Sequence, residues 1–186
     1  FNNYEFSPYE DKLLIPTETE RIYRHSRRSN YYIYDLDNEI LSPLSEKGKQ
    51  RLATFSPDGT KVAFVRKNNL FLKDLETGEE KQITSDGKIN HIIYGTTDWV
   101  YEEEFGFTKG FFWSPDGKKI AFYRFDESHV KEYLLTIWNQ LYPERYKYKY
   151  PKAGEDNSVV NIFVYDLDSG KTLQMDTGEE TDNYLP

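Results

Sequence analysis

Apolar positions along this chain gather in short runs with a repeated order. "KVAFV" (Lys61 to Val65) and "KIAFY" (Lys119 to Tyr123) are rich in β-branched and aromatic residues, a composition that predicts strands. "NLFLKDL" (Asn69 to Leu75) and "NIFVYDL" (Asn161 to Leu167) predict partner strands, each closing on an acidic turn with Gly78 or Gly170 just beyond. Before each first strand stands SPDG, at Ser56–Gly59 and Ser114–Gly117. In that turn proline presets φ, aspartate bonds back to the backbone, and glycine accepts the positive φ that lets the next strand return.

These pieces form a repeat. Residues 55–79 match residues 113–127, and the second half of the match resumes at 160–171; "YYIYDLDNE" (Tyr31 to Glu39) is an earlier echo. Asp35 and Asp74 lie 39 positions apart, near the roughly 40 to 45 residues of a four-stranded propeller blade. The expected fold is therefore all-β: antiparallel four-stranded blades forming part of a β-propeller, with a single region over 1–186. Two insertions break the repeat, at about 88–110 and 125–157. The first holds "DWVYEEEFGF" (Asp98 to Phe107), with three successive glutamates between aromatic residues. The second alternates Tyr146, Tyr148 and Tyr150, which suggests an extended arm rather than a helix, and then turns at "YPKAG" (Tyr150 to Gly154).

Composition narrows the function. Acidic residues outnumber basic ones 32 to 24, and "YRHSRR" (Tyr23 to Arg28) is the one local basic cluster, so nucleic acid is not expected as a partner. The chain has no cysteine, which excludes disulfides and thiolate metal sites. His25, His91 and His129 lack metal-ligand spacing, so no metal and no cofactor is expected. Trp99, Trp113 and Trp138 read as packing residues between blades or along the arm. No apolar run reaches the roughly 20 residues of a membrane span, and the first residues read as those of a chain cut from something longer.

Taken together, "YRHSRRSNYYIYDL", "HIIYGTTDWVYEEEFGF", "FFWSPDGKKIAFYRFDE" and "QLYPERYKYKYPKAGEDN" cover most of the chain and resemble the N-terminal β-propeller of the dipeptidyl peptidase IV family, bacterial type, within the prolyl oligopeptidase group. The resemblance implies an eight-bladed ring, of which this chain supplies about half, followed by an α/β-hydrolase domain. The nucleophile motif GxSxG does not occur in the 186 residues, so the chain carries no catalytic triad.

The resemblance further implies that Glu103 and Glu104 bind the free amino terminus of a peptide substrate, with Arg24 contacting the substrate backbone and balancing the acidic pair. An ammonium offers three donors and a full charge, which two carboxylates can accept. Neighbouring side chains on a strand point to opposite faces, so a short helical turn is expected in this insertion. Fixing the amine would make the parent a serine dipeptidyl aminopeptidase that releases X-Pro or X-Ala. A non-catalytic propeller binding a basic protein, and a tripeptidyl peptidase relative, are the alternatives. Also implied are a homodimer formed through the arm at 131–154 and a periplasmic, cell-surface or secreted location.

Overall fold

The computed structural model describes residues 3–138 and 140–185. Its strands form three successive antiparallel sheets. The first contains β1 (Glu5–Phe6), β2 (Lys12–Arg21), β3 (Arg27–Asp35) and β4 (Ile40–Pro43), and the second β5 (Arg51–Phe55), β6 (Lys61–Arg66), β7 (Asn69–Asp74) and β8 (Glu80–Gln82), each in sequence order. The third is built on β11 (Lys119–Asp126), flanked on one side by β14 (Val159–Asp166) and then β15 (Thr172–Gln174). Along its other edge lie β9 (Ile92–Tyr94), paired with Arg124–Asp126, and β10 (Phe111–Trp113), paired with Ile120–Phe122. The innermost strand is thus split in two, and residues 95–110 leave the sheet between the halves.

The turns explain why the sheets repeat. Ser56 and Ser114 each accept an amide from the glycine three residues on and donate to the lysine five residues on, while their hydroxyls donate to Asp58 and Asp116 at 2.5 and 2.6 Å. Gly59 and Gly117 sit at φ 66° and 69°, where a side chain is disfavoured. The first sheet contains a third copy that sequence comparison missed. Ser7 makes the same pattern with Glu10 and Lys12, and its hydroxyl donates to Asp11. Glu10, at φ 58°, stands where the other copies have glycine. The acidic turns repeat likewise: Asp35, Asp74 and Asp166 accept the amides of Asn38, Thr77 and Ser169. There Glu39, at φ 56°, replaces Gly78 and Gly170. Among the described residues the chain therefore holds three blades, of the eight that the resemblance implies, rather than about half a ring.

Period-two alternation sends β6 side chains to both faces, and β6 belongs to the middle blade, so both faces are covered. Val62 and Phe64 pack with Leu14, Ile33, Leu44 and Phe55 between the first and second blades. Ala63 and Val65 pack with Tyr94, Phe111, Ile120 and Phe122 between the second and third. Face-to-face burial of this kind locks the angle between blades and hence the relative placement of their loops.

The second insertion leaves after β11. It forms a hairpin of β12 (Glu132–Ile137) and β13 (Glu144–Lys149), which pair antiparallel from Glu132↔Lys149 to Ile137↔Glu144. This is an extended arm. Trp138, expected to pack, is instead 71% exposed near its tip, because a two-stranded ribbon has no second layer there to cover an indole. Trp113 does pack against the core between the second and third blades.

Candidate functional site

The first insertion is braced before it turns helical. Thr96 and Thr97 are buried and donate from their hydroxyls to the carbonyls of Thr108 and Phe107. Asp98 then caps helix α1 (Trp99–Glu103), accepting the Tyr101 amide at 3.0 Å, as N-cap aspartates do. Its second oxygen accepts the Ser158 hydroxyl at 2.7 Å. Burial raises the Asp98 carboxyl above the usual range, against the pull of these donors. Tyr101 is buried among Phe105, Phe107, Phe125 and Tyr184, which fixes the roll of the short helix.

Once the roll is fixed, the three glutamates diverge, because successive residues on a helix are turned by about 100°. Glu102 is fully buried and accepts the backbone amides of His25 and Ser26, each at 2.8 Å. Glu103 meets Arg24, with guanidinium Nε 3.2 Å from Oε2; the Glu103 side chain is 10% exposed and that of Arg24 72%. Glu104 is exposed at the C-cap, beside a shallow cleft that also has Trp99, Tyr150, Lys152 and Asn157 in its wall. Among the described residues its carboxylate makes no hydrogen bond or ion pair. The structure therefore joins Arg24 to Glu103 and leaves Glu104 on the solvent side of the same turn.

Arg24 lies in the connection between β2 and β3. That loop closes on itself through Ile22 N–H to the Ser26 carbonyl at 2.9 Å and Tyr23 N–H to the Ser26 hydroxyl at 3.2 Å. The arm supports it from the other side. Tyr23 packs against Tyr146 and Tyr148 with ring centroids 6.4 and 6.1 Å apart, and Trp99 of α1 packs against Tyr148 and Tyr150 at 5.9 and 4.5 Å. Edge and tilted geometries of this kind stabilise beyond the area they bury. Burial raises the Tyr148 hydroxyl, and the nearby Glu103 charge raises it further. The Arg24 loop, the helix that carries Glu103 and the arm are thus packed together through Tyr23, Trp99 and Tyr148.

The family model described as "Dipeptidyl peptidase IV (DPP IV) N-terminal region" matches residues 7–186. The chain belongs to the dipeptidyl peptidase IV family. A solved structure, "Crystal structure of Porphyromonas gingivalis dipeptidyl peptidase 4", superposes with a TM-score of 0.94 at 47% identity, over 99% of this chain and 26% of that one. Among curated relatives, "Probable dipeptidyl-aminopeptidase B" of Coccidioides posadasii is 38% identical over 94% of this chain and 20% of its own length. The protein of the same name in Emericella nidulans is 37% identical over 95% of this chain and 21% of its own. The chain spans about a fifth of the length of these dipeptidyl-aminopeptidase relatives.

Two features of this dipeptidyl peptidase IV region escaped sequence reasoning. The contact of Glu102 with residues 25 and 26 spans 77 positions in sequence, and no local pattern signals it. Asp98 immediately before an apolar helical turn did carry an N-cap signal. Of the histidines, His25 contributes its backbone amide to Glu102, and the His129 ring lies 2.8 Å from the Asn157 carbonyl oxygen.

Proposed function

We propose that this chain is the part of a serine dipeptidyl aminopeptidase that recognises the substrate's free amino terminus. The parent releases X-Pro or X-Ala dipeptides, its nucleophile being supplied by an α/β-hydrolase domain outside this chain. Glu103 and Glu104 accept the ammonium, and Arg24 donates to the substrate backbone and balances their charge. The observation that carries the reading is the Arg24–Glu103 contact at 3.2 Å, with the carboxylate mostly covered and the guanidinium mostly open. An ammonium arriving here meets a carboxylate already paired with the Nε of an arginine, and Glu104 lies one residue on, exposed to solvent.

Charge-assisted hydrogen bonds of this type contribute on the order of 1.5 to 3 kcal/mol each, enough to prefer a free amine over a blocked one. An amine held at a fixed distance from the nucleophile makes the cut fall after the second residue. In the same reading the arm at 131–154 contributes to a homodimer, and the parent works in the periplasm, at the cell surface or outside the cell. Among the described residues no helix is long and apolar enough to cross a membrane.

The test is steady-state kinetics of the full-length parent on an X-Pro substrate. Glu103→Gln and Glu104→Gln are expected to lower kcat/KM by about tenfold or more, in line with losing one such contact. Retention of kcat/KM within twofold in both variants contradicts the anchoring role.

A further inference from the structure

We infer that Glu102 is a positioning residue for the amine site: it clamps the backbone of the loop that carries Arg24 onto the helix that carries Glu103. The inference rests on the amine-anchoring reading above and deepens it by naming what holds that site in shape.

The His25 N–H belongs to the peptide unit that begins at Arg24, so an acceptor on it restrains the Arg24 backbone directly. Glu102 Oε1 accepts this N–H and the next one, both at 2.8 Å. Two parallel donors on one oxygen fix the orientation of the loop as well as its distance. The acceptor is dry, with Glu102 at 0% exposure and Ser26 buried against it, and a donor left unmade in such a place is costly.

Glu102 Oε2 and Arg51 Nε are both buried without a hydrogen-bond partner. The Arg51 guanidinium is lowered by burial and raised first by the Glu102 charge. Arg51 belongs to β5 in the second blade. Glu102 therefore joins two parts of the fold directly, a loop of the first blade and the helix inserted into the third, and its charge acts on a buried cation of the second. A glutamine can keep the acceptor oxygen but loses the charge that acts on the buried Arg51 guanidinium. Glu102 thus turns inward, and Arg24 remains available to Glu103.

The test uses the full-length parent and compares kcat/KM for an X-Pro substrate bearing a free amine with that for its des-amino analogue. Glu102→Ala is expected to lower this amine preference at least tenfold, mostly through KM. Arg24→Ala added to that variant is expected to lower it less than threefold further, because the clamp acts through the Arg24 loop. Full additivity of the two substitutions, or an amine preference within twofold of wild type in Glu102→Ala, overturns the inference.

Should Glu102→Ala fail to fold, Glu102→Met, which removes the acceptor at similar length, enters the same comparison with the same limits. Hydrogen exchange on the unmodified parent gives a further reading: the His25 and Ser26 amides are expected to be strongly protected, and exchange at the rate of an open loop overturns the clamp. Failure of the underlying amine reading registers separately, since Arg24→Ala and Glu103→Gln would then themselves leave the preference within twofold.

Discussion

Glu127, buried beside Asp98 just past the end of β11, has its carboxyl pushed up to about 7. Burial is the main cause and the Asp98 charge the next, with a smaller contribution from Asp126; Lys149 and the Asn90 backbone N–H act in the opposite direction. An acid whose folded value lies above its unfolded value keeps its proton in the native state after the unfolded chain has released it. Stability therefore falls as pH rises from about 4.5 to about 7 and is level above that window.

The gap between 4.5 and about 7, at about 1.4 kcal/mol per tenfold change in proton affinity, sets the cost of the ionised form at roughly 3 kcal/mol. Glu127→Gln removes that charge at nearly constant shape. The variant is expected to exceed wild type by under about 1 kcal/mol at pH 5 and by roughly 3 kcal/mol at pH 8. Thermal unfolding of the parent followed by aromatic fluorescence at pH 5, 6, 7 and 8 measures it. Asp98, also raised by burial, gives both proteins a slope of the same sign, so the difference between them isolates Glu127. A gain equal at every pH, or a loss at pH 8, refutes the reasoning.

Glu39→Gly relieves a positive φ of 56° and is expected to stabilise by up to about 1 kcal/mol; a lower denaturation midpoint contradicts it. Gly87→Ala would place a Cβ 2.2 Å from the Asn68 carbonyl oxygen, a backbone atom with little room to retreat, and a loss of about 2 kcal/mol or more is expected in chemical denaturation. Tyr148→Ala removes the ring shared by Tyr23, Trp99 and Tyr133. Limited proteolysis within 132–149 is then expected to accelerate, and an unchanged cleavage rate denies that these rings seat the arm.

The blades could be read from sequence wherever glycine marked the turns. Gly59, Gly117, Gly78 and Gly170 all stand at positive φ, a need visible in the sequence itself. The first blade was only half visible because Glu10 and Glu39 fill those same backbone positions, and a glutamate does not advertise a left-handed turn. The hydrogen bonds of each turn hold them there: Ser7 closes its turn as Ser56 and Ser114 do, and Asp35 accepts the Asn38 amide as Asp74 and Asp166 accept theirs. The arm's extended character was legible because period-two alternation is local, whereas the exposure of Trp138 was not, since burial depends on what lies above it.

By itself the sequence determined the local geometry: which segments are strands, where the chain reverses, and that two insertions interrupt the repeat. Those properties follow from φ preferences and side-chain period, which act over a few residues. The fate of three identical neighbours was decided only in three dimensions. Glu102 became a buried clamp, Glu103 the partner of Arg24, and Glu104 an open carboxylate. Helical rotation points them apart, and packing of three blades decides what each one meets.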